Sequence, residues 1–253
     1  MRFPFLKPMH GWRAFAGEVG IIVIGVLIAL AAQQAVETWR WQQDVERTQE
    51  DLDDEILYNV ALGAERIAVD RCLKQRLHLL GAAVARTSGQ WIPLPPMSPG
   101  LLKPTLPLVY RAPNRIYTTD VWEQAKANGV VSHMAPVDVQ TYSAAYAQIA
   151  NLREHNAEEQ SLVPALSFLG FAGPLDPSSR ERALTIIASL DMHNGWMLII
   201  AQQVADTAVR SKRRMSDAAV KDARDTFILQ RDNRGPCVDD AAGWKVLAPL
   251  MSK

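Results

Sequence analysis

Residues 19–32 form an unbroken apolar run, and across residues 14–32 the only charge is Glu18, at the N-terminal edge. As a helix rising 1.5 Å per residue this stretch is about 28 Å long, close to the ~30 Å hydrocarbon core of a bilayer. Glu18 then lies in the first turn, near headgroups and water, where a carboxylate is far less costly than at the bilayer centre. Trp12 before the run and Trp39 and Trp41 after it stand where tryptophans favour the two membrane interfaces. The pattern predicts a transmembrane anchor over residues 14–35, containing Glu18, Ile21, Ile22, Gly25 and Ala29. A cleaved signal peptide is the alternative, because the run is short and Ala29-Leu30-Ala31 fits a small-x-small cleavage site. Against cleavage, Glu18 makes the edge acidic, and residues 27–36 are mostly good helix formers with no proline among them. No cysteine stands near the site, which excludes a lipoprotein.

No stop signal follows the anchor. Residues 33–86 are helix formers interrupted only by Gly63 and Gly81, and Leu52, Ile56, Val60, Ile67, Leu77, Leu80 and Val84 recur at helical spacing. One continuous helix is expected to run from the membrane into a soluble domain, with a kink near Gly63. Residues 88–114 then hold seven of the fifteen prolines, at 93, 95, 96, 99, 104, 107 and 113, and cannot be helical. With Trp91, Ile92, Leu94 and Leu101 among them they are too apolar for a solvated linker, so an extended segment packed along the bundle is expected. Pro93-Leu94-Pro95-Pro96 leaves open a polyproline II segment that binds a partner.

Beyond it, Thr118-Thr119-Asp120 offer N-caps for a helix over 121–128, and Gly129 suits its C-cap. Pro136 opens a helix to about residue 159, and Ser178-Ser179 cap a long one over 180–214 with Leu184, Ile187, Leu190, Met197 and Ala201 inward. Ser216 starts a further helix to about residue 230, and a short tail docks through Trp244, Val246 and Leu247. Asp191, His193 and Asn194 mark residues 186–204 as a soluble core helix rather than a second span.

Lys plus Arg equals Asp plus Glu at 27 each, which removes the basic footprint expected of a nucleic-acid binder. Sparse aromatics (7%) and few β-rich runs fit an all-α chain. Arg2, Lys7 and Arg13 precede the anchor, whereas only Arg40 and Arg47 follow it before residue 60. This bias orients residues 1–13 as a cytoplasmic basic leader and residues 36–253 as an extracytoplasmic domain. Cys72 and Cys237 are too few for a disulfide scaffold and too far apart for a metal motif. In an oxidising compartment they can join and tie the C-terminus to the first long helix; otherwise they are two buried thiols.

Candidate chemistry is sparse. No acidic residue stands three positions before any of the five histidines, so the Glu-x-x-His pattern of di-iron bundles is missing. The best local group is Glu154, His155, Glu158 and Glu159, read as a solvated helix face rather than a metal site. The acidic run at residues 50–55 lacks the glycine and ligand spacing of a calcium loop and reads as a solvated face just outside the bilayer. Arg210, Lys212, Arg213 and Arg214 stand near a helix C-terminus, where cations offset the macrodipole. Gly-x-Ser-x-Gly and phosphate-loop motifs are missing. No catalytic residue, metal or cofactor is therefore expected.

Glu18 followed by residues 21–29 and then Trp39, with the acidic amphipathic stretch 52–59, resembles the opening of a family of small bacterial single-pass membrane proteins of unknown function. Residues 117–129, with Tyr142 and Tyr146, are similar to a later block of that family. The resemblance implies an anchor followed by an acidic amphipathic helix and brings no catalytic residues.

The expectation is an all-α, single-pass protein of the bacterial inner membrane, whose anchor continues into an irregular helical bundle in the periplasm. Its role is expected to be non-enzymatic: interaction, scaffolding or sensing. Thirteen leader residues are too few for a cytoplasmic output, so a signal would pass to a protein partner. Gly25 and Ala29, one turn apart, offer a small-residue face for a homodimer within the membrane. The rival is an enzyme or small-ligand-binding protein with a bundle pocket built on Asp191, His193 and Asn194.

Overall fold

The computed structural model describes residues 11–95, 97 and 108–251. The leader residues 1–10 and the prolines at 96, 99, 104 and 107 lie outside that set. The fold is all-α, with a long N-terminal apolar helix leading into a helical bundle. Its helices are α1 (Trp12–Arg86), α2 (Asp120–Ala127), α3 (Pro136–Leu162), α4 (Pro177–Arg210), α5 (Asp217–Arg234) and α6 (Asp240–Leu247). Two three-residue strands, β1 (Gly89–Trp91) and β2 (Gly173–Leu175), pair antiparallel where α1 ends and α4 begins.

α1 runs unbroken for 75 residues because no proline interrupts it. It also runs through Gly63, where a Cβ would stand 2.9 Å from that of Ala201, so the glycine lets the α1 and α4 backbones approach. Leu52, Asn59, Arg66, Leu73 and Leu80 succeed one another every seven residues, two helical turns, and each is at most 1% exposed. Ile67, on the apolar stripe read from sequence, is only half-buried. From residue 52 onward α1 is covered on most sides, because it lies at the centre of the domain rather than on its surface.

α4 lies antiparallel to α1, as the pairings 63 with 201, 66 with 194 and 81 with 187 require. α3 lies against α4, and α5 and α6 against α1. α6 reaches α1 through Gly243, where a Cβ would meet Phe227 at 2.7 Å and the Ala64 carbonyl at 3.2 Å. The tail docks through Val246 and Leu247, both buried, while half-buried Trp244 meets Phe227 edge-on at 5.1 Å.

Helix ends follow local chemistry with two departures from the sequence reading. Asp176, not Ser178 or Ser179, caps α4 by accepting from the Ser179 N–H, with Pro177 at the first helical position. Thr119 precedes α2 without a side-chain cap; instead Glu55 Oε1 on α1 accepts the backbone N–H of Asp120 at 2.9 Å. Gly129 (φ 78°) and Gly235 (φ 75°) adopt the left-handed values that end α2 and α5. The described part of the proline-rich stretch is extended: β1, then residues 108–119, where Val109, Tyr110, Ala112 and Tyr117 are buried in the bundle.

Cys72 on α1 and Cys237, just after α5, form a disulfide across 165 residues. In the chain-entropy view, closing a loop of that size removes roughly 5 kcal/mol of denatured-state freedom.

Candidate functional site

Three features of the structure bear on function: the exposed apolar segment, a buried ionic network and the cavity beside that network. At the start of α1 the most apolar 18-residue window has no residue buried among the described ones. Ile21, Ile22, Gly25 and Ala29 lie exposed in this helix, and Glu18 stands in its second turn, outside any ion pair among the described residues. A helix apolar on all sides and covered by none of the other described residues has the length and character of a membrane segment. Two helices, α1 and α4, are long and apolar enough to cross a membrane. α4, however, buries twelve residues in the domain, His193 and Asn194 among them. Trp12 and Trp39 are exposed, as an interfacial belt requires. Trp41 instead stacks on His133, with ring centroids 3.9 Å apart, and belongs to the near end of the domain. From Ala32 to Trp41 the helix climbs about 14 Å, which sets the gap between apolar segment and bundle.

Inside the bundle, α1 presents two adjacent charged side chains to opposite neighbours. Arg66, 1% exposed, grips Glu159 of α3 with two hydrogen bonds, Nη1 to Oε2 at 2.6 Å and Nη2 to Oε1 at 2.5 Å. It also donates to Asn194 Oδ1 of α4, whose amide donates to Asp70 at 2.7 Å. Tyr110 of the extended segment donates to Glu159 Oε1 at 3.0 Å. Burial alone lowers a guanidinium pKa, but the Glu159 carboxylate overcomes it and holds Arg66 above its ordinary range. Burial, with Glu159 adding, raises Tyr110 above its usual range, so it remains a donor. Next in sequence, fully buried Glu65 receives Arg115 in two 2.6 Å bonds and the Gln230 amide at 2.7 Å. The two pairs thus link α1, α3, α4, α5 and the 108–119 segment.

Beside this network lies a cavity of about 480 Å³ between the extended segment, α3 and α5. Arg111, Arg115 and Arg234 line it, and no carboxylate does among the described residues. Arg234 donates to the Gln230 Oε1 and the Arg111 carbonyl, and makes no ion pair among the described residues. Burial first, and the neighbouring Arg111 charge second, push its pKa down to about 10. Gln160 Nε2 is buried on the same wall with no hydrogen-bond partner among the described residues. Arg115 is already paired with Glu65, so what Arg234 and Gln160 add to this wall is a guanidinium without a carboxylate partner and an unmet amide donor among the described residues.

The residues singled out from sequence separate. Asp191 is exposed, Asn194 joins the Arg66 network, and His193 faces α3, where it meets His155 and Glu158. They share no pocket. The acidic run is not a solvated face throughout: Leu52 and Glu55 are buried, and Asp53 bonds Arg213 Nε at 2.5 Å. Arg213, read as a macrodipole cation, is buried, paired with Asp53 and stacked over Tyr142 with its guanidinium carbon 4.9 Å from the ring centre. Sequence reasoning missed Glu65, Arg66, Tyr110 and Arg115. The available signal was the seven-residue spacing of Leu52, Asn59, Arg66, Leu73 and Leu80, which places a charge on the buried face.

No protein-family model, curated protein or solved structure matches the chain.

Glu159→Gln leaves Arg66 as an uncompensated buried cation. It is expected to lower unfolding free energy by about 3–5 kcal/mol in denaturant titration of the full chain, whereas joint replacement by apolar residues of like volume restores most of the loss.

Proposed function

We propose that the chain is a membrane-anchored, non-enzymatic helical module of the bacterial inner membrane. It passes once, with its N-terminus in the cytoplasm and residues 36–253 in the periplasm, and it acts through contact with a protein partner. The observation that carries this reading is that the apolar segment and the central core helix are one helix, α1. A ligand or partner that shifts the bundle then also shifts the membrane segment. The Lys/Arg bias supports the orientation, and the Cys72–Cys237 bond supports an oxidising compartment. The resemblance to small single-pass proteins points the same way. Pairing of two anchors through Gly25 and Ala29 belongs to the same proposal; a Cβ built at Gly25 meets nothing within 4 Å.

The cationic cavity favours a second reading, in which the domain takes up a small phosphate- or carboxylate-bearing ligand and relays its presence. This moves the expected ligand pocket from Asp191, His193 and Asn194 to Arg111, Arg115 and Arg234.

A cysteine introduced at exposed Glu181 (Glu181→Cys) is expected to react with a membrane-impermeant maleimide in intact cells. Reaction only after lysis would put the domain in the cytoplasm and overturn the orientation. For the second reading, millimolar inorganic phosphate or citrate is expected to raise the thermal midpoint of the wild-type chain but not of Arg234→Gln. Equal shifts in both would remove the cavity from consideration.

A further inference from the structure

Away from the ionic network, α3 and α4 bring three donor atoms to one point. His155 and Glu158 stand three residues apart on one face of α3, and His193 faces them from antiparallel α4. The two imidazole Nδ1 atoms are 3.1 Å apart. Glu158 Oε2 lies 3.2 Å from His193 Nδ1 and 3.5 Å from His155 Nδ1. This is the one group of three or more His, Cys, Asp or Glu side chains among the described residues so placed that it could share an ion.

We propose that His155, Glu158 and His193 form a binding site for one divalent transition-metal ion, zinc or a close congener. In a tetrahedral site with bonds of 2.0–2.1 Å, neighbouring ligand atoms stand roughly 3.3 Å apart. The three separations fall on either side of that edge length. In a metal-free arrangement one imidazole must protonate Nδ1 to meet the other, and both compete for the same carboxylate oxygen. An ion at the centre takes a lone pair from each.

The donor set decides the class of ion. Two imidazoles and one carboxylate suit zinc, copper, nickel or cobalt rather than calcium or magnesium, which take oxygen ligands. Both cysteines are in the disulfide, so no thiolate competes for the metal. The Glu158 side chain is 48% exposed and that of His155 25%, so the fourth position opens to solvent. A water or a donor from a partner can fill it. Trp196, one turn beyond His193, lies parallel to the His155 ring at 6.3 Å between centroids. With both helices supplying ligands, the ion would staple α3 to α4. This goes beyond the function proposed above and does not depend on it.

The test uses untagged full-length protein in detergent, stripped with chelator and titrated with Co²⁺ alone. One Co²⁺ per chain is expected, with the visible absorption of a four-coordinate ion, displaced by one equivalent of Zn²⁺. His155→Ala and Glu158→Gln, at the two more exposed ligands, are expected to weaken binding at least about 100-fold, beyond the 10–100-fold typical of outer-shell partners. Glu154→Gln, exposed and adjacent in sequence, should bind as wild type. The site is overturned if equilibrium dialysis retains no stoichiometric Zn²⁺, or if a folded His155→Ala/Glu158→Gln double variant retains it as tightly as wild type.

Discussion

Helices α2 to α6 each pack on α1, and α1 also carries the exposed apolar segment, so the bundle and that segment share one helical axis. The constraint explains the composition of the helix. It has no proline along its 75 residues to break it, and at Gly63 it carries no side chain where Ala201 of α4 comes within 2.9 Å of the place a Cβ would take. The covalent link from Cys72 to Cys237 extends the same logic. The last helices are tied to the C-terminal part of α1, not merely packed against it.

Charge, rather than shape alone, fixes how the other elements sit on that axis. A fully buried Arg–carboxylate pair gains little over a well-packed apolar substitute, yet leaving one member unpaired is costly. Arg66 with Glu159, and Glu65 with Arg115, therefore penalise any register in which α3 or the extended segment slips by a turn. Arg213 with Asp53 does the same where α4 gives way to α5, and Glu55 and Asn59 do so by bonding backbone groups at residues 118–120. A segment without regular structure of its own is thus held by side chains of α1. Its burial leaves a cavity lined by arginines beside the network.

Much of the architecture could be read from the pattern of residues. The apolar run, the proline break after residue 86, Pro136, Ser216 and the Gly129 terminator act locally, and local chemistry sets where helices begin and end. What could not be read are choices made across the bundle. A charged residue on α1 reads as solvated until its partner is known, and the partners of Glu65, Arg66 and Asp53 stand 50, 93 and 160 residues away. The Trp41 ring likewise matches an interfacial belt by position, but His133 draws it into the domain. The histidine group was hidden for a different reason. Its spacing on α3 is His-x-x-Glu, the reverse of the Glu-x-x-His order usual in metal-binding bundles, and its third member comes from another helix.

The central claim, one unbroken helix from the apolar segment into the core, is open to a distance measurement in a lipid nanodisc. Spin labels at two exposed positions, introduced as Val36→Cys and Tyr58→Cys, bracket the passage from stalk to bundle. Twenty-two residues of continuous helix separate them by about 33 Å. A narrow distribution centred near that distance is the expected result of double electron–electron resonance. A broad distribution, or one centred well short of it, would mean that α1 bends or melts between the apolar segment and the domain, and the shared axis would be lost.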